Sequence, residues 1–169
     1  MGLSWEGAIK DFKTFLRLEK SLSPNSIAAY CRDVDKLAHY FGSTATPKMP
    51  TEVGYNALRD FISWFGENNE NARTQSRTIS GVKAFYKFLL LEGEIDANPT
   101  ALIESPKIGF KIPTVLSISE IEAILGSIDL SDPLGHRNKA IIETLYGCGL
   151  RVSELVNLRL TDLHEKERF

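Results

Sequence analysis

Apolar side chains recur at intervals of three and four residues over the first ninety positions of the chain, with polar segments between the runs. This spacing puts the apolar residues of each run on one side of an α-helix. The pattern predicts four helices, over residues 3–18, 23–41, 51–65 and 72–91. Because each apolar stripe must be covered, we expect the four helices to share one core in an all-α domain of about a hundred residues.

The residues at the ends of these runs are typical of helix boundaries. Ser23 is a good N-cap, and Pro24 suits the first helical position because an N–H there would have no helical partner. Gly42 is expected to end the second helix. Thr51 is expected to cap the third helix, and Gly93 to end the fourth.

A proline-containing segment separates this region from the rest of the chain. A short helix or turn is expected over residues 99–103, followed by an extended linker that contains Pro106 and Pro113. The simplest interpretation of this linker is a plain connector between domains. We therefore predict an N-terminal domain over residues 1–104, a linker over 105–116, and the start of a second domain over 117–169.

Three further helices are predicted in the second region. Ser117 and Glu120 have the spacing of a capping box at the start of the first. The next helix is expected to be capped by Asp132-Pro133, and the last to extend over residues 151–160. The second region is therefore also expected to be helical.

Composition limits the class of protein. The chain has 169 residues, of which 43% are hydrophobic, enough for one sizeable core or two small ones. It contains no apolar run of membrane-spanning length and no signal-peptide pattern at its N-terminus. Cys31 and Cys148 are far apart and are expected to be two buried thiols, which fits a reducing cytoplasm. The three histidines lack the spacing of metal ligands.

The distribution of charge is more informative than its sum. A net charge of −2 and an isoelectric point of about 5.9 argue weakly against nucleic-acid binding. However, residues 73–91 contain four basic residues and no acidic one, and the linker adds two lysines. An acidic protein can therefore still present a basic face.

Two glycines and an arginine mark the most distinctive stretch of the chain. Gly147 and Gly149 can adopt the left-handed backbone angles of a sharp turn between helices. The next helix is expected to start at once, with Arg151 in its first turn, so its N–H groups and this guanidinium are expected to favour an anion such as phosphate. The alternative is that Arg151 and Glu154 form an ordinary surface pair three residues apart.

The order of residues in this stretch resembles a known motif. Gly-Cys-Gly-Leu-Arg-Val-Ser-Glu-Leu over residues 147–155 is similar to the first arginine box of the tyrosine recombinases, and most similar to the Xer type. Upstream, residues 22–30 resemble the opening of the second helix in that family, and residues 79–93 its fourth helix. Asn98-Pro99 and the Ser-Pro-Lys of residues 105–107 resemble the exit from its N-terminal domain.

The resemblance implies a fold and a reaction. The expected fold is a four-helix SAM-like core-binding domain followed by the helical start of a catalytic domain. The expected activity is site-specific DNA recombination, in which a tyrosine forms a phosphotyrosyl bond with DNA without a metal or nucleotide cofactor. Arg151 would stabilise charge on the reacting phosphate, and Glu154 would help to orient the site.

The resemblance also implies double-stranded DNA as the partner. The expected contacts lie on the second and fourth helices and on the linker: Asn25, Ser26, Tyr30, Ser76, Arg77, Ser80, Lys83, Lys107 and Lys111. For each of them the alternative is an ordinary solvated surface residue. The whole recombinase is expected to act as a tetramer on DNA, whereas this chain alone is expected to be a monomer in the cytoplasm.

Several catalytic residues of the family have no counterpart in this sequence. A hairpin lysine, a His-x-x-Arg box, a further histidine or tryptophan and the nucleophilic tyrosine would all follow residue 169, and none of the five tyrosines has the required position. The chain by itself is therefore expected to be catalytically inactive. Two alternatives remain: a non-catalytic DNA-binding remnant, and a helical protein-interaction module that does not bind nucleic acid.

Overall fold

Helices form all the regular secondary structure in residues 3–68, 71–106, 108–109 and 113–163, which are the residues that the computed structural model describes. Within these ranges the all-α prediction is confirmed. The chain divides into two compact units, residues 1–110 and 111–169, which are described separately below. In the described part of the chain, no helix is both long enough and apolar enough to span a membrane.

The described residues of the first unit form four long helices and one short 3-10 turn between the second and third. They are α1 (Trp5–Leu18), α2 (Pro24–Ser43), the 3-10 turn Pro50–Glu52, α3 (Tyr55–Asn68) and α4 (Ala72–Leu91). Each helix buries one stripe, and the stripes meet in a single hydrophobic core as the periodicity predicted. Helix α4 packs against the other three helices.

Aromatic rings fill the centre of this core. The Phe85 ring on α4 lies 5.4 Å from that of Phe12 and 6.0 Å from that of Trp5, both on α1. Phe88, one turn further along α4, lies 5.0 Å from Phe15. Such pairs contribute roughly 0.5–1.5 kcal/mol each beyond their burial, so they fix α4 firmly against α1.

Several helix ends follow the predicted capping chemistry. The Ser23 hydroxyl accepts a hydrogen bond from the Ser26 N–H, and Pro24 occupies the first turn of α2. Gly93 has a φ of +72° just after α4, as its predicted role requires. The loop after α4 turns again at residues 99–102.

Two predicted boundaries in the first unit are wrong. Gly42 lies inside α2, which continues to Ser43 and is followed by Thr44, whose hydroxyl donates to the Phe41 carbonyl at 2.9 Å. Thr51 belongs to the 3-10 turn, because the Glu52 carboxylate accepts from the Met49 N–H at 2.8 Å and closes that turn first. Helix α3 therefore begins only at Tyr55.

Within residues 113–163, the second unit has three helices and a 3-10 turn: α5 (Ile118–Gly126), α6 (Gly135–Cys148), α7 (Val152–Val156) and the turn Leu160–Asp162. The capping box of Ser117 and Glu120 is confirmed, with the carboxylate 2.8 Å from the Ser117 nitrogen. Asp132-Pro133 does not cap α6 directly. The Asp132 carboxylate and carbonyl accept from the Leu134 and Gly135 N–H groups, so a turn precedes the helix.

The two cysteines are free, but they are not both buried as predicted. Cys31 is half-buried against the core, and burial raises the pKa of its thiol. Cys148 is exposed because it is the last residue of α6, where the chain turns. The expectation of two buried thiols is therefore wrong for Cys148.

Candidate nucleic-acid interface and arginine turn

One side of α4 carries basic and hydroxyl side chains and no carboxylate. Each member is three or four residues from another member, so they share a side of the helix. We call this surface the α4 basic face: Arg73, Ser76, Arg77, Ser80, Lys83 and Lys87. Ser76 and Lys83 are half-buried and the other four residues are exposed. No acidic residue occurs anywhere in Ala72–Leu91, so the face has four cations on its own helix.

A buried carboxylate on α2 lies beneath one edge of this face. Asp33 has a side chain that is only 2% exposed, and its Oδ2 accepts a hydrogen bond from Arg77 Nη1 at 2.7 Å. Its Oδ1 accepts from the Thr78 hydroxyl at 3.1 Å, and the Lys36 ammonium lies 3.7 Å from the same oxygen. Both oxygens of Asp33 are thus satisfied, as a buried charge requires.

Close packing of the two helices makes this arrangement possible. A Cβ atom on Gly81 would lie 2.8 Å from the Asp33 Cβ, which is closer than two carbon atoms can approach. Glycine at position 81 therefore provides the space for the Asp33 side chain between α2 and α4. The carboxylate can then reach Arg77 and Thr78, one turn earlier on α4.

Ser80, in the middle of the face, has its hydroxyl directed to its own helix. Its Oγ donates to the Ser76 carbonyl at 2.9 Å. A hydroxyl has a single proton to donate, so in this rotamer Ser80 can only accept further hydrogen bonds. It cannot donate to a phosphate oxygen until that bond breaks.

The predicted contacts on α2 differ in their exposure. Asn25 is exposed in the first turn, and the half-buried Ser26 hydroxyl lies 3.0 Å from that of Ser23. Tyr30, which was expected to contact DNA, is half-buried and packs on the core with its ring edge-on to Phe12 at 6.5 Å. The helical spacing shows why: Tyr30 is seven residues from the buried Leu37, so the two side chains share a side of α2.

The predicted linker contacts cannot be located. Lys107 and Lys111 both lie outside the described residues. Their role as phosphate contacts therefore stays a prediction from the sequence.

The arginine turn joins α6 to α7 in the second unit. Gly149 has a φ of +64°, which confirms its left-handed conformation, whereas Gly147 lies inside α6. Arg151 immediately precedes α7, and its side chain is 83% exposed. The Glu154 carboxylate accepts from the Arg151 backbone N–H at 2.7 Å and from its Nη1 at 3.0 Å.

These two hydrogen bonds bear on the anion site that was expected at this turn. The backbone N–H of Arg151, and then its guanidinium, hold the pKa of Glu154 below its usual range. The helix is also much shorter than predicted, ending at Val156 rather than near Leu160. The expected anion site at the helix N-terminus is therefore weakened, because the Glu154 carboxylate binds the Arg151 N–H and puts a negative charge beside it.

The structure thus joins Arg77 on α4 to Asp33 on α2 in the first unit, and Arg151 to Glu154 in the second. The important residue that the sequence analysis missed is Asp33. A single acidic residue beside Val34 and Leu37, in an otherwise apolar stripe, was the available signal. Arg73 and Lys87 were also not named as contacts, although their spacing puts them on the same face.

Comparisons with known proteins agree with this architecture. Residues 9–93 match the family described as phage integrase, N-terminal SAM-like domain, and residues 114–169 match the phage integrase family. A tyrosine recombinase XerD from Listeria innocua is 37% identical over 156 residues, covering 92% of this chain and 52% of that protein. A XerD from Rickettsia bellii is 38% identical, with coverage of 92% and 50%.

Among solved structures, an integrase from mycobacterium phage Brujita shares the fold with a TM-score of 0.53. It is 22% identical and covers 87% of this chain and 47% of its own. The chain spans about half the length of the relatives it matches. The resemblance seen in the sequence is confirmed: this chain belongs to the phage integrase family of tyrosine recombinases.

Proposed function

We propose that this chain binds double-stranded DNA through the α4 basic face, as the DNA-binding part of a site-specific recombinase. The observation that carries the proposal is the α4 basic face itself, with four cations and no acidic residue on the helix that bears it. Lysine and arginine bind phosphates largely independently of base sequence, and hydroxyl and amide groups add hydrogen bonds. Asn25 and Ser26 on α2, with the linker residues Lys107 and Lys111, would extend the contact.

Arg151 is proposed to contact the reacting phosphate. A guanidinium has five N–H donors and stays charged at any working pH, and Glu154 occupies only one of these donors on Nη1. The others are available to phosphate oxygens, whose charge rises in the transition state of phosphoryl transfer. Glu154 would hold the arginine in position, since its carboxylate bridges the backbone and side chain of Arg151.

The reaction proposed for the whole recombinase is DNA cleavage and rejoining through a phosphotyrosyl intermediate, without a metal or nucleotide cofactor. A tetramer on DNA would carry it out. We do not propose any tyrosine of this chain as the nucleophile. Accordingly, incubation with a nicked duplex should yield no covalent protein–DNA adduct, and an adduct formed by this chain alone would refute that part of the proposal.

DNA binding is tested by measuring affinity for a duplex as a function of salt concentration. About five phosphate contacts give a slope near −4 to −5 on a log–log plot. A slope near zero would contradict the proposal and would favour the helical protein-interaction module.

A matched pair of variants tests the location of the interface. Arg73→Gln/Lys87→Gln removes two charges from the α4 basic face, and Lys10→Gln/Arg17→Gln removes two exposed charges from α1. The first variant should make the slope less steep by about 1.8, because each lost phosphate contact contributes about 0.9. The second should change it little. Equal effects would show that net charge, rather than this face, governs binding.

A further inference from the structure

The stability of the fold does not by itself explain why the Asp33 carboxylate is buried with a set of polar partners. Replacing a buried ion pair with apolar residues of similar volume is often neutral or stabilising, so burial of a charge needs another explanation. Here the site includes Thr78, which donates to Oδ1, and Gly81, which provides the space for the side chain. These two features hold the Asp33 carboxylate in one orientation.

That orientation determines where the Arg77 guanidinium lies. Asp33 engages only Nη1, and the Arg77 side chain remains 47% exposed at the edge of the α4 basic face. A free arginine side chain loses much rotamer freedom when it binds phosphate, whereas one that is already held loses less. The other guanidinium N–H groups remain available for a second, anionic partner.

We propose that Asp33 is a positioning residue for DNA binding, which holds the Arg77 guanidinium so that its remaining N–H groups can bind a backbone phosphate. The inference rests on the proposed function, since it names one phosphate contact and the residue that orients it. Asp33 itself does not touch DNA. Its effect passes entirely through Arg77.

A simpler role for Asp33 predicts the opposite result. If the carboxylate only neutralised Arg77, its removal would leave an extra positive charge beside the DNA and would tighten binding. Positioning predicts weaker binding. Asp33→Asn keeps the size of the side chain and removes its charge, so the sign of the change in affinity separates the two roles.

The experiment is a double-mutant cycle on duplex affinity, with folding of every variant checked by urea denaturation. Arg77→Gln should weaken binding about tenfold, and Asp33→Asn about threefold, the size expected for ordering one long side chain. In the Arg77→Gln background, Asp33→Asn should have no further effect. A purely structural role would lower stability and affinity in both backgrounds.

Other outcomes would contradict the role of Asp33, the role of Arg77 or DNA binding itself. Unchanged or tighter binding by Asp33→Asn, or a full additional loss on top of Arg77→Gln, overturns the positioning role. If Arg77→Gln binds normally while Arg73→Gln/Lys87→Gln does not, Arg77 is not a contact and the inference fails, although DNA binding stands. If the unaltered chain shows no salt-dependent binding, the proposed function fails as well.

A second variant covers the case in which Asp33→Asn does not fold. Thr78→Val keeps the shape of the side chain and removes only the hydrogen bond to Oδ1. It should weaken DNA binding about twofold when Arg77 is present, and not at all in the Arg77→Gln background. An unchanged affinity with Arg77 present would overturn the proposal.

Discussion

The Tyr86 hydroxyl donates a hydrogen bond to the carbonyl oxygen of Pro50 at 3.3 Å, although the two residues are 36 positions apart. Both are buried, and the contact joins α4 to the turn between α2 and α3. Burial raises the pKa of the Tyr86 phenol well above its usual range. The contact therefore links the stability of the first unit to the protonation of one phenol.

Alkaline pH should destabilise the protein through Tyr86. The folded-state pKa is raised, so the contribution of this group to stability is complete below its unfolded pKa of about 10 and is lost as pH rises above it. The slope for one group is about 1.4 kcal/mol per pH unit. Urea denaturation between pH 8 and 11 should show this decrease in the unaltered protein.

Tyr86→Phe should remove that part of the pH dependence. At neutral pH it should also lower the free energy of unfolding by about 1–2 kcal/mol, because the Pro50 carbonyl loses its partner. The exposed Tyr55 is the matched control, and Tyr55→Phe should leave both quantities nearly unchanged. Identical alkaline profiles for Tyr86→Phe and the unaltered protein would contradict the prediction.

Gly81→Ala should be destabilising although it lies inside a helix. Alanine is normally favoured over glycine there by about 1 kcal/mol, but the new Cβ would lie 2.8 Å from that of Asp33. Overpacking of this kind costs roughly 1–3 kcal/mol. The control is Gly42→Ala in α2, where a Cβ meets no atom within 4 Å and stability should rise or stay the same. The test is the unfolding temperature of the two variants. A higher unfolding temperature for Gly81→Ala would contradict the prediction and would show that α2 and α4 separate easily.

The Glu154 carboxyl should titrate below the usual range of a glutamate. Its lowered pKa means that its contribution to stability is present above the unfolded value of about 4.5 and is lost as pH falls through the folded value. Arg151→Ala should raise the pKa only part of the way, because the backbone N–H at position 151 is the larger cause and remains.

Carbon-13 NMR titration of the glutamate carboxyl groups measures this directly. Glu120, whose pKa is lowered by Ser117, is the internal control and should not respond to Arg151→Ala. A complete return of Glu154 to its ordinary pKa in that variant would show that the guanidinium, and not the backbone, dominates the pair.

Ser80→Ala should change DNA affinity by less than about twofold, since the Ser80 hydroxyl already donates to the Ser76 carbonyl. Lys87→Gln, on the same face, should weaken binding and make the salt slope less steep by about 0.9. Fluorescence anisotropy with a labelled duplex would measure both. A loss of affinity in Ser80→Ala as large as that in Lys87→Gln would show that the serine turns to donate to phosphate.

The sequence by itself determined the features that depend on residues close together in the chain. The apolar periodicity specified α1 to α4, because residues three and four apart always share a side of a helix. Ser23, Ser117 and Gly149 were recognisable because capping and left-handed turns depend on neighbouring residues. The motif around Arg151 identified the family for the same reason, since its residues are contiguous.

Only the tertiary structure decided which side chains meet across helices. Asp33 paired with Arg77 because α2 packs closely on α4 at Gly81, and no spacing within one helix specifies that approach. The same holds for Tyr86 and Pro50. Long-range packing selects one partner among many sterically possible ones, so the residue that orients the candidate interface became visible only in the folded molecule.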